Sequence, residues 1–254
     1  MRTRTAKTAS GLFLALALCL SPMLAQAADL TVSAAASLTD AFTVIKKAFE
    51  QANPGTTVVT NFAASGPLLR QIENGAPVDV FASADEKTMD QAAAKNLIVP
   101  GTRRDFVKNA LVLVQPADGT LTIKNLNDLA QPGVKRIALG NPETVPAGRY
   151  AREALTAAKL WEALQPKLVP GESVRQTLDY ITRGEVDAGF VFATDAKIAG
   201  AKVRLVAEAP TSTPVTYPIA VVAASRTPKA KAFVDFVLSP AGQKILQDYG
   251  FKKP

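Results

Sequence analysis

Leu30-Thr-Val-Ser-Ala-Ala-Ala-Ser37-Leu-Thr-Asp40 changes character in the middle, from a β-prone apolar run to the opening of a helix in which Phe42, Ile45 and Phe49 recur at helical spacing. Small residues and a serine occupy the corner. The pattern returns at once: Thr56-Thr-Val-Val-Thr-Asn-Phe62 leads through Ala63-Ala64 to Ser65-Gly66-Pro67 and a second helical stretch over 66–74. A strand at 78–82 and a helix at 85–95 make a third unit. Repeated strand–helix units with nearly continuous apolar strands predict an α/β fold of mostly parallel sheets flanked by helices.

The run Asn109-Ala-Leu-Val-Leu-Val-Gln115 reads as a strand leaving the first sheet. New units follow: a strand at 134–139, helices at 147–160 and 173–183, and a strand at 188–192. Thr216-Tyr-Pro-Ile-Ala-Val-Val-Ala223 mirrors the earlier crossing strand, and helices at 229–238 and 241–249 close the chain. The expected organisation is two lobes with a cleft between them, one built from 28–109 and 218–254 and the other from 110–217. A single larger sheet would give the same periodicity.

Residues 1–27 have the three parts of a secretory signal: basic Arg2, Arg4 and Lys7, an apolar run from Gly11 to Leu20, and Ala25-Gln26-Ala27 before the cut. The apolar run is shorter than the roughly 20 residues needed to span a bilayer. Cleavage would take the formal charge from +7 to +4 and remove Cys19, the only cysteine. The exported chain would then have no disulfides, even in an oxidising compartment. Its basic residues are interspersed with acids, which argues against nucleic acid as a partner.

The chain has no histidine. That removes the usual general base and a common metal ligand, and Ser65 does not sit in a Gly-x-Ser-x-Gly elbow. A Ser/Lys hydrolase stays open as an alternative, although Asp40 stands where Ser37 would need its lysine. Asp79 and Asp85 could pass for metal ligands, with Asp85 better read as a helix cap. Tyr150, Tyr180, Tyr217 and Tyr249 stand singly among apolar positions and read as core. The chemistry concentrates at helix starts: Ser37 with Asp40 as a capping box, Ser65, Val145-Pro-Ala147-Gly148, and Ser173-Val174-Arg175. Unpaired amides and the positive end of the macrodipole make each start able to meet an anion.

The stretches AAASLTDAF (34–42), FAASGPLLRQIENGAPVDVFASAD (62–85), NPETVPAGRYAREAL (141–155), SVRQTLDYITRGEVDAGFVFATDA (173–196), TYPIAVV (216–222) and KILQDYGF (244–251) resemble, in order and spacing, the periplasmic molybdate-binding proteins of ABC importers. The resemblance runs from Leu30 to about Phe251. It implies a two-lobed periplasmic-binding-protein fold (type II), no enzymatic activity, no cofactor, and molybdate or tungstate as ligand. It also implies a monomer in the periplasm that delivers to the importer's membrane permease. Carried over by position, Ser37 and Ser65 would each give a hydroxyl and an amide, and Ala147 and Val174 would give amides. Phe192 stands where the family typically has a tyrosine, so one hydroxyl donor is missing there. Sulfate or another tetrahedral dianion is the alternative ligand, since sequence supplies donors and not the cavity radius.

Overall fold

The computed structural model describes residues 28–254. The signal-peptide reading of 1–27 lies outside the described residues. The chain runs β1 (Ala28–Ala35), α1 (Thr39–Ala52), β2 (Thr56–Ala63), α2 (Ser65–Glu73), β3 (Val80–Ala82), α3 (Glu86–Ala94) and β4 (Arg104–Asn109). It continues as β5 (Leu111–Pro116), β6 (Ile137–Gly140), α4 (Pro146–Ala157), α5 (Trp161–Leu164), β7 (Leu168–Gly171), α6 (Val174–Thr182), β8 (Ala188–Phe192), α7 (Ala193–Ala199) and β9 (Val203–Glu208). It ends with β10 (Val215–Val221), α8 (Lys229–Leu238) and α9 (Pro240–Asp248).

The strands form two sheets in the orders β2-β1-β3-β10-β4 and β7-β6-β8-β5-β9, each the core of one lobe. The parallel character is confined to three strands of each sheet, because β10 and β5, the strands that follow the two crossings, run against their neighbours. The first crossing is at Ala110, between β4 and β5. The second falls before Val215 and not at 217/218, since Val215, Thr216 and Tyr217 already pair with Asn109, Lys108 and Val107 of β4.

Packing follows the periodicity. Phe42, Ile45 and Phe49 of α1 are buried, and Phe42 and Phe49 meet Phe233 of α8 edge-on at 6.1 and 5.2 Å. The C-terminal helices therefore belong to the first lobe. The strands absent from the sequence reading, β4, β7 and β9, are edge strands of their sheets. Charged residues in β4 and β9 and Pro170 in β7 suit an edge, where one side needs no ladder, and they erase the apolar signature. Among the described residues no helix is long and apolar enough to cross a membrane.

Candidate functional site

Three helix starts and a 3₁₀ turn converge between the lobes. β1 and β2 are parallel neighbours that end side by side, Ala34 beside Phe62 and Ala35 beside Ala63, so Ser37 and Ser65 come to one rim. From the other lobe, α4 begins with Pro146 and Ala147, and α6 begins at Val174 after its Ser173 cap. Ser37, Ser65, Ala147, Val174 and Phe192 all line a single cavity, with Ala35, Ala36, Ala64, Ala84, Val145 and Pro146. The cavity volume is about 10 Å³, room for about one water-sized sphere. That is far below the roughly 300 to 1,000 Å³ of pockets for drug-sized molecules, so its scale is at most a small ion. No charged side chain lines it.

The serines do not cap their helices as the sequence suggested. Ser37 lies inside a short 3₁₀ turn over Ala36–Leu38, α1 has Leu38 in the N-cap position, and Asp40 does not reach back to form a capping box. Ser65 is the first residue of α2, behind Ala64. Neither hydroxyl is bound to a first-turn amide of its own helix. Ser65 Oγ accepts the Ala84 backbone N–H at 3.0 Å, and Ser37 Oγ lies 2.9 Å from Tyr217 Oη. Asp85 does cap a helix, accepting from the Thr88 amide at 3.2 Å. First-turn amides have no partner within a helix, so those of Ser65, Ala147 and Val174 lie at the positive ends of three macrodipoles.

Close approach at this junction depends on missing side chains. The Gly66 amide donates across the cleft to Thr144 O at 3.1 Å, and a Cβ on Gly66 would sit 2.5 Å from that oxygen. Gly148, in the first turn of α4, rests on the Gly140 carbonyl with no room for a methyl group.

Two arginines near the second-lobe helix starts reach into the first lobe. Arg149 Nε and Nη2 donate to Asp85 Oδ2 at 2.8 and 2.5 Å, and Nη2 also meets Thr88 Oγ1 at 2.7 Å, all buried. Arg175 Nε donates to Asp195 Oδ1 at 2.6 Å. Its Nη2 lies 2.7 Å from Asp40 Oδ2 but off the hydrogen-bonding angle, which makes that contact Coulombic and not directional. Burial pushes the Asp195 carboxyl up to about 6 against the pull of Arg175. Burial works against the Arg175 charge too, yet Asp195 and Asp40 outweigh it and hold the guanidinium more firmly protonated than usual. Among the described residues, no group of three or more acidic, cysteine or histidine side chains is placed to hold a metal ion.

Residues 30–252 match the family model of the bacterial extracellular solute-binding proteins. The chain belongs to that family. Among these solute-binding proteins it is 43% identical over 236 residues to the molybdate-binding protein ModA of Escherichia coli (strain K12), covering 90% of each chain. A substrate-binding domain of a putative molybdenum ABC transporter from Clostridium difficile is 40% identical, with a TM-score of 0.67, over 89% of this chain and 99% of that one. The periplasmic molybdate-binding protein of Azotobacter vinelandii superimposes with a TM-score of 0.79 at 27% identity, over 89% of this chain and 99% of its own. The two-lobed architecture is that of the solute-binding family.

Sequence reasoning missed Tyr217, placed with the core tyrosines although its hydroxyl touches Ser37, and Asn109, which bonds Tyr217 Oη at 3.3 Å and Thr194 Oγ1 at 2.9 Å. It also left Arg149 and Arg175 without a role. A signal for the arginines existed: a cation in the first turn of a helix opposes the macrodipole, so each needed an acid from elsewhere.

Proposed function

We propose that this protein captures molybdate, and tungstate with it, outside the cytoplasm and delivers it to the membrane permease of an ABC importer. The observation that carries this reading is the convergence of three helix starts, a 3₁₀ turn and two serines on a small cavity lined by no charged side chain. Such a cavity brings first-turn amides and serine protons together and has no carboxylate in its lining. It suits a fully deprotonated tetrahedral dianion, whereas hydrogen phosphate carries an O–H that needs an acceptor. Each hydrogen bond to a charged group contributes about 1.5 to 3 kcal/mol, so several together offset the desolvation of a small dianion. The ligand named for the relatives points to the same anion.

Binding without catalysis is part of the proposal. A nucleophilic serine needs an acceptor for its proton, yet Ser65 Oγ receives a backbone N–H and the chain has no histidine. No cofactor is needed for capture and release. Export by a cleaved leader at 1–27 and a monomeric state complete the proposal.

A thermal-shift panel of molybdate, tungstate, sulfate, phosphate and chloride on the chain from Ala28 tests it. Molybdate and tungstate are expected to raise the melting temperature and phosphate is not, because a ligand at a thousand times its Kd stabilises the folded state by about 4 kcal/mol. A shift with sulfate alone would transfer the assignment to sulfate. No shift with any dianion would end it.

A further inference from the structure

Asn109 is buried at the end of β4, where the chain leaves the first sheet. Its Oδ1 accepts the Ala110 backbone N–H at 2.9 Å. An amide N–H can only donate, so the side chain is oriented: Nδ2 must face the hydroxyls of Thr194 and Tyr217. Tyr217 Oη, receiving that N–H, keeps its own proton to give. Its one other hydrogen-bond partner among the described residues is Ser37 Oγ, at 2.9 Å. The phenol is wholly buried, with the rings of Phe106, Phe192 and Phe251 at 6.4, 5.7 and 5.5 Å. Burial holds its pKa well above the usual value, so it remains a donor. Ser37 Oγ then accepts, which leaves the serine proton for the cavity that Ser37 lines.

We infer that Tyr217, oriented by Asn109, is a positioning residue that commits the Ser37 hydroxyl to donate into the cavity; this rests on the oxyanion reading above. The Ala84 amide does the same for Ser65 by a shorter route. With each serine oxygen already accepting one hydrogen bond, its proton is free to turn to the cavity, and one lone pair fewer is left to receive the proton of a protonated anion. Tyr217 thereby acts on specificity without touching the ligand.

The test is a double-mutant cycle read by calorimetry with molybdate. Tyr217→Phe keeps the ring and its packing, and is expected to weaken binding about five- to tenfold, the range of one hydrogen bond. In a Ser37→Ala background the same change is expected to alter affinity less than about twofold, because the group it acts through is gone. The ratio of molybdate to phosphate affinity should also narrow in Tyr217→Phe, since a freed Ser37 hydroxyl can rotate to accept. Asn109→Ala leaves the aromatic packing whole and should give the same coupling at about threefold, which guards against a folding defect in the first variant. Equal losses in both backgrounds, or no loss in either, overturn the inference. Wild-type protein that binds sulfate and not molybdate removes the ligand assignment alone, and the cycle run with sulfate still decides the role of Tyr217. Binding of no dianion removes both.

Discussion

The two lobes bring different equipment to the same cavity. The first supplies Ser37 and Ser65, each a hydroxyl with an amide, and the partners that orient those hydroxyls, Tyr217 and Ala84, belong to its own sheet or lie beside it. The second supplies Ala147 and Val174, whose side chains have no polar atom. Its side-chain investment lies one or two residues further on, in Arg175 and Arg149, and these grip acids of the first lobe. One lobe is thus chemically specialised for the anion, and the other for holding the pair of lobes together. Affinity and closure are written in different residues and should come apart under mutation.

The largest effect is expected from Arg149→Met. It leaves Asp85 buried without its partner in the closed arrangement, and an orphaned buried charge costs about 3 to 5 kcal/mol. Molybdate affinity should fall more than a hundredfold, and small-angle scattering with ligand at the wild-type saturating concentration should show a more open particle. Intact affinity with a lowered melting temperature would make the pair part of the fold and not of closure.

On the other side of the comparison, Ser65→Ala and Ser37→Ala should each weaken molybdate binding by about ten- to a hundredfold, the worth of about 1.5 to 3 kcal/mol. Neither hydroxyl caps its helix, but each is the partner of a buried group, the Ala84 N–H or the Tyr217 hydroxyl, so the ligand-free melting temperature should also fall, by the worth of about 1 to 3 kcal/mol. Isothermal titration and ligand-free melts read the two quantities separately. Lost stability with wild-type affinity would place the serines among structural residues.

Phe192→Tyr sharpens the contrast from the second lobe, by giving it a side-chain donor. Phe192 is buried, lines the cavity and packs against the rings of Tyr150 and Tyr217. Binding should tighten by up to about tenfold, with a more favourable enthalpy on titration. Unchanged affinity means the donor set is already complete.

The smallest effect on binding comes with pH, which acts on stability instead. Burial holds Asp195 at about 6, above the roughly 3.9 of an exposed aspartate. The folded chain binds that proton more tightly than the unfolded one, so the contribution of this group is full below about pH 4 and is lost as pH rises through about 6. Asp195→Asn removes the dependence. Melts at about pH 4 and pH 7.5 should shift in favour of the variant by about 4 to 8 °C on going to the higher pH, the worth of about 2 kcal/mol. A constant difference would show that Asp195 does not titrate in this range.

The fold was legible because its central strands are apolar and its helices amphipathic, a signal that survives without neighbours. Ser37, Ser65, Ala147, Val174 and Phe192 could be placed at strand and helix ends by local pattern and by resemblance, and they do meet in one cavity. What escaped was whatever depends on a partner far along the chain. Tyr217 and Ser37 are 180 positions apart, as Arg149 and Asp85 are 64, and no local periodicity marks a tyrosine whose ring is core while its hydroxyl is not. The capping box at Ser37 failed for a related reason: a 3₁₀ turn moved the helix start beyond the serine. Edge strands were lost because their exposure makes them look like loops.

Gly66 gives the missing side chain a metric role. Its amide rests on the Thr144 carbonyl across the cleft, and a single methyl group there would stand 2.5 Å from that oxygen. The jaws therefore stop where backbone meets backbone, and that stop sets the bore of the chamber one residue away at Ser65. Each fraction of an ångström of bore is a fraction of an ångström of anion radius. The calibre of the protein is recorded at position 66 by a hydrogen atom.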